Sequence, residues 1–109
     1  MAQRDRMILK EGGIVWIPCE VKEGMFPTER YIRVEIPEKK ATIIAGFVPR
    51  EDVRESKGVQ GHAGEVRAVI ARLVKDTAAL LFRGEILSAT NPVVVPRKWV
   101  LTASRPSAR

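Results

Sequence analysis

Polar and apolar residues alternate over residues 30 to 36. Ile32, Val34 and Ile36 point one way, and Tyr31, Arg33 and Glu35 point the other. This period of two predicts a strand with one face in a core. Residues 14 to 21 alternate in the same way through Val15, Ile17, Cys19 and Val21. Pro18 removes a ladder donor there, so this strand is expected at a sheet edge or with a bulge. Between the two, residues 23 to 29 carry Gly24 and Pro27 and read as a loop. Residues 41 to 48 are apolar on both faces, which predicts a well-covered strand. Pro49 to Val53 reads as a single helical turn. Residues 54 to 64, with three glycines and little apolar content, read as a flexible linker.

Residues 65 to 82 admit two readings. Val66, Val69, Ile70, Leu73, Val74, Leu80 and Leu81 fall at helical spacing and would make one amphipathic helix. The alternative is a hairpin, with strand 65 to 74, a turn at Lys75-Asp76 and strand 77 to 83. An internal repeat favours the hairpin. Val48-Pro49-Arg50-Glu51-Asp52-Val53 recurs at an offset of 47 as Val95-Pro96-Arg97-Lys98-Trp99-Val100. The same offset lays residues 30 to 37, a clear strand, over residues 77 to 84. A duplicated β unit covers both halves with one idea. The first unit spans residues 12 to 53 and the second 65 to 101, within a single domain. The polar tail, residues 102 to 109, is expected to be disordered.

The segments Gly46-Phe47-Val48-Pro49-Arg50-Glu51-Asp52-Val53 and Val94-Val95-Pro96-Arg97-Lys98-Trp99-Val100 resemble the end of an SH3-like barrel. There, a strand runs into a Pro-led helical turn and then into a short last strand that starts with Val. The resemblance implies an all-β fold, a tandem or duplicated SH3-like small barrel. The paired tryptophans and the acidic, tyrosine-bearing first loop of peptide-binding SH3 domains are absent. A polyproline groove therefore does not carry over, and fold alone names no function.

A chain of 109 residues suits one domain with a core of its own. The single cysteine, Cys19, excludes an intramolecular disulfide and a multi-cysteine zinc site. It reads as a small buried hydrophobe. Apolar runs are too short to cross a membrane, and the N-terminal residues lack a signal peptide's hydrophobic stretch. A cytoplasmic location without membrane contact is expected. His62 is the only histidine and lies in the glycine-rich linker, without partners at metal-ligand spacing. Glu35 and Glu38 flank a turn, where carboxylates are ordinarily solvated rather than an acid–base pair. No phosphate-cradling or nucleophile motif occurs. The expectation is a non-catalytic module with no cofactor and no metal.

The formal charge of +6 is unevenly spread. Nine basic and nine acidic residues cancel over residues 1 to 53, whereas ten basic face four acidic residues over 54 to 109. A localised positive field attracts polyanions. The candidate nucleic-acid contacts are Arg67, Arg72, Lys75, Arg83, Arg97 and Lys98, with Trp99 as a ring on which a base could stack. The competing reading of Trp99 is a plug for the barrel end. In the hairpin reading, Arg72 shares a face with Val66 and Ile70. RNA or single strands are the expected ligand class. A protein-interaction or assembly role is the alternative, with Trp16, Met25 and Phe26 as contacts. Dimerisation through the edge bearing Pro18 would make a homo-oligomer.

Overall fold

The computed structural model describes residues 9–37, 42–55, 63–88 and 90–106. In the first half the alternating stretches become an antiparallel meander of β1 (Ile14–Glu23), β2 (Glu29–Ile36) and β3 (Thr42–Pro49). Ile32, Val34 and Ile36 are all buried, as are Val15, Ile17 and Val21 of β1. Pro49 leads into a 3-10 turn (Arg50–Asp52), followed by the short β4 (Val53–Glu55).

Residues 65 to 82 form a hairpin and not a helix. It consists of β5 (Ala63–Leu73) and β6 (Thr77–Leu81), closed by a Val74 N–H to Thr77 carbonyl bond of 3.0 Å. After β6 come β7 (Glu85–Ile86), β8 (Val93–Pro96), the helix α1 (Arg97–Ala103) and β9 (Arg105–Pro106). These strands form one antiparallel sheet in the order β7-β3-β2-β1-β5-β6-β8, with β4 added to β5 and β9 added to β1. The sheet is curled and compatible with a small β-barrel. β7 follows β6 in the chain yet pairs with β3 on the far side. The inner face packs Ile17, Ile32, Ile44, Ile70, Leu80 and Phe82 into one core. Burying such side chains contributes roughly 1.5–3 kcal/mol each. No helix among the described residues is long and apolar enough to cross a membrane.

Several expectations are corrected. β1 is not an edge strand: it pairs with β5 through residues 14 to 20, and with β2 through residues 20 to 23. On its β2 side, β9 covers Val15 and Trp16, and pairing with β2 is made only from Glu20 onward. Pro18 falls in the interval, where no partner needs its missing donor. Four residues of the expected linker of residues 54 to 64 lie in strands. Arg54 and Glu55 belong to β4 and pair with Glu65 and Gly64, and β5 begins at Ala63. Residues 56 to 62, His62 included, lie outside the described residues. Part of the expected tail is structured. Thr102 and Ala103 continue α1, and Arg105 and Pro106 pair with Trp16 and Val15. Val100, expected to open a last strand like Val53, is instead buried within α1.

Candidate binding surfaces

The turn between β5 and β6 meets the start of α1. The Arg97 N–H donates to the Asp76 carbonyl at 2.9 Å, and Arg97 Nη1 donates to the Val74 carbonyl at 2.9 Å. Pro96, extended at φ −64° and ψ 132°, precedes the helix and pairs with Thr77. Two chain segments some 20 residues apart are thus locked together. Between them lies a shallow cleft of about 460 Å³ lined by Lys75, Asp76, Pro96, Arg97, Lys98 and Leu101. Three of the expected nucleic-acid contacts therefore converge, with Leu101 as an apolar floor and Asp76 as the opposing charge.

The other candidates are placed differently. Arg72 is exposed on the same hairpin, but not on the face of Val66 and Ile70. A bulge between Ile70 and Arg72 shifts the register, so Arg72 faces solvent and Leu73 turns towards the core. Arg67 is half-buried in the middle of β5, opposite Trp16. Arg83 forks onto the buried Asp52, with Nε to Oδ2 at 2.8 Å and Nη2 to Oδ1 at 3.0 Å. Nη2 also reaches Glu51 at 3.2 Å. The Asp52 hydrogen bond, followed by its charge, pushes the guanidinium pKa up. Arg83 is thus a clamp between the 3-10 turn and the end of β6. Trp99 does not stand beside the cationic cleft. It packs partly against the core, and its exposed part borders a separate hollow with Cys19, Arg33 and Glu35.

Met25 and Phe26 are exposed, at 76% and 61%. Their loop is nevertheless braced. Glu29 Oε2 accepts the Met25 N–H at 3.0 Å, the Glu29 N–H donates to the Phe26 carbonyl at 3.1 Å, and the Arg50 N–H donates to the Thr28 carbonyl at 2.8 Å. Arg30 Nη1 donates to the carbonyls of Pro27 and Glu29. A groove of about 610 Å³ runs from Met25 and Phe26 to Phe47, Pro49 and Glu85. Phe47 is propped edge-to-face on Tyr31, with centroids 5.5 Å apart. Trp16, expected as a protein contact, is buried. The Arg54 guanidinium lies 3.8 Å from its ring centroid, and its indole N–H has no hydrogen-bond partner among the described residues.

Cys19 is partly buried against the core, and its thiol is pushed up to about 12, first by burial and then by the charge of Glu65. Such a thiol is a poor nucleophile at neutral pH. Glu35 is exposed and paired with Arg33 at 3.5 Å, whereas Glu38 lies outside the described residues. Among the described residues no cluster of His, Cys, Asp and Glu could hold a metal ion. Three contributors escape sequence reasoning. Arg54 falls within the expected linker, Leu101 joins the cleft only through α1, and Asn91 latches Phe82 through bonds of 3.0 and 2.7 Å to its N–H and carbonyl. No local pattern signals these, because each depends on long-range packing. No protein-family model matches the chain, and no curated protein or solved structure matches it significantly.

Proposed function

We propose that this chain is a non-catalytic binding module that holds the phosphate backbone of RNA or single-stranded nucleic acid at the end bearing Lys75, Arg97 and Lys98. The observation that carries the reading is the convergence of these three cations, from the β5–β6 turn and α1, on one cleft. Arg72 adds a further exposed cation on the β5–β6 hairpin. Phosphate contacts of this kind release counterions, so affinity should fall steeply with salt. Leu101 and the cationic stems offer apolar surface to a base edge or sugar.

The fold reading belongs to the same proposal. We read the halves as duplicated SH3-like units, which accounts for the order of the sheet. Outward from the β1–β5 ladder run β2 and β3 on one side, and β6 and β8 on the other. Each half then sends its last strand across, β4 to β5 and β9 to β1.

The test is a titration of the protein against fluorescent single- and double-stranded RNA and DNA at about 50 and 200 mM salt. We expect micromolar binding that weakens about tenfold or more across that range. The double variant Lys75→Glu/Lys98→Glu should lose it for every sequence alike. Absence of binding at the lower salt, or undiminished binding by the double variant, would overturn the reading. The exposed Met25-Phe26 pair favours a second reading, an assembly module that contacts protein.

A further inference from the structure

We propose that the groove beside the β1–β2 loop takes a segment of a partner protein that carries a Lys or Arg next to an apolar side chain. The inference stands on a different surface from the nucleic-acid reading. The β1–β2 loop follows Glu23, whereas the Lys75 turn follows Leu73, which lies beyond the Ile14 end of β1. The length of β1, about 30 Å at the usual rise per residue, separates the two.

Three features define the occupant. The first is an apolar floor and lip from Met25, Phe26, Phe47 and Pro49, with Met25 and Phe26 largely open to solvent. The second is preorganisation. The backbone bonds to Glu29 and Thr28, and the two carbonyls held by Arg30, fix the loop before anything binds. An anchor ordered in advance avoids much of the entropy cost of association. The third is charge. Glu29, Glu51 and Glu85 line the groove, and no cation lines it among the described residues. Arg83 sits alongside but is committed to Asp52 and Glu51. Glu85 is exposed and forms no ion pair among the described residues. Glu51 is shared with Arg83 and Glu29 accepts the Met25 N–H, so Glu85 is the open carboxylate. Apolar walls beside an open carboxylate repel a nucleic-acid backbone and suit a cation held next to a hydrophobic side chain.

The experiment selects displayed random 12-residue peptides on the immobilised full chain, then measures enriched peptides by fluorescence anisotropy. We expect a consensus of Lys or Arg beside Leu, Ile or Phe. Affinity should fall about tenfold with Phe26→Ser and again with Glu85→Lys. Both residues are exposed, so circular dichroism should confirm intact folding of each variant. Lys75→Glu/Lys98→Glu should leave peptide binding unchanged, which separates this surface from the nucleic-acid end. No enrichment, an acidic consensus, or peptides indifferent to Phe26→Ser and Glu85→Lys would overturn the proposal. So would sedimentation showing self-association abolished by these two substitutions, because the occupant would then be the basic end of a second copy.

Discussion

Gly46 and Gly84 lie on opposite sides of the seam between β3 and β7. A β-carbon on Gly46 would overlap the Glu85 carbonyl oxygen and lie 2.8 Å from Ile86 Cα. One on Gly84 would overlap the Phe47 carbonyl oxygen and lie 2.9 Å from Val48 Cα. Every one of these neighbours is backbone, so no rotamer change relieves the clash, and β7 must move off β3. Three bonds hold that seam beyond the β3–β7 pair. The Leu87 N–H donates to the Ala45 carbonyl at 2.8 Å, the Ala45 N–H donates to Ser88 Oγ at 2.7 Å, and Ser88 Oγ donates to the Ile43 carbonyl at 2.8 Å. At about 1 kcal/mol net each, they amount to roughly 3 kcal/mol. Partial exposure of Ile86, which packs against the core, adds about 1 kcal/mol. Gly46→Ala should therefore destabilise by about 3–4 kcal/mol, a large share of the roughly 5–15 kcal/mol of a domain this size. Gly84 also sits at φ +102°, so Gly84→Ala adds about 1 kcal/mol of backbone strain.

A double-mutant cycle makes the reasoning refutable. Once either alanine has opened the seam, the second β-carbon has nothing left to strike. The double variant should cost about as much as Gly84→Ala alone, far less than the sum. Urea unfolding supplies the free energies, and hydrogen exchange at Ala45 and Leu87 reports the seam directly. If Gly46→Ala stays within about 0.5 kcal/mol of the parent and both amides remain protected, the closure argument fails.

Two further outcomes follow from side chains far from either surface. The Cys19 thiol, raised from 9.0 to about 12 by burial and then by Glu65, stays protonated in the folded chain while the unfolded chain ionises above pH 9. The parent should lose stability relative to Cys19→Ala as pH rises from 9 towards 12, by up to about 1.4 kcal/mol per pH unit, and identical pH profiles would refute this. Asn91→Ala removes both partners of the Phe82 backbone and should lower stability by about 2 kcal/mol, which an unchanged urea midpoint would contradict.

The ambiguity at residues 65 to 82 has a physical cause. Val66, Ile70 and Leu73 all turn towards the core, at spacings of four and seven from the first. That spacing is helical, and a plain strand cannot produce it. The bulge between Ile70 and Arg72 does so by shifting the alternation one residue near the end of β5. β2 has no bulge and was legible directly. The tail misled for another reason. β9 joins the sheet through backbone pairing, which leaves little trace in a two-residue segment as polar as Arg105-Pro106. Pro18 predicts an edge or a bulge because a ladder donor is missing. The sheet accommodates it centrally by leaving a gap between β9 and β2 on that side.

Charge counting had a similar reach. It placed the basic excess in the second half, but it could not tell Lys75 and Lys98, which are open, from Arg83, which is held by Asp52 across 31 positions. It also hid the acidic groove. The first half sums to zero charge, yet folding carries Glu29 and Glu51 to one wall while Arg30 turns to Glu55 and Arg33 to Glu35. Glu85 completes that wall from the second half, and it arrives only because β7 crosses to β3. Phe47, Gly84 and Glu85 therefore belong to both the seam and the groove. The two glycines that let the backbones touch also bring the third carboxylate to the groove. A surface assembled from both halves in this way depends on the pairing of β7 with β3, and neither half could present it alone.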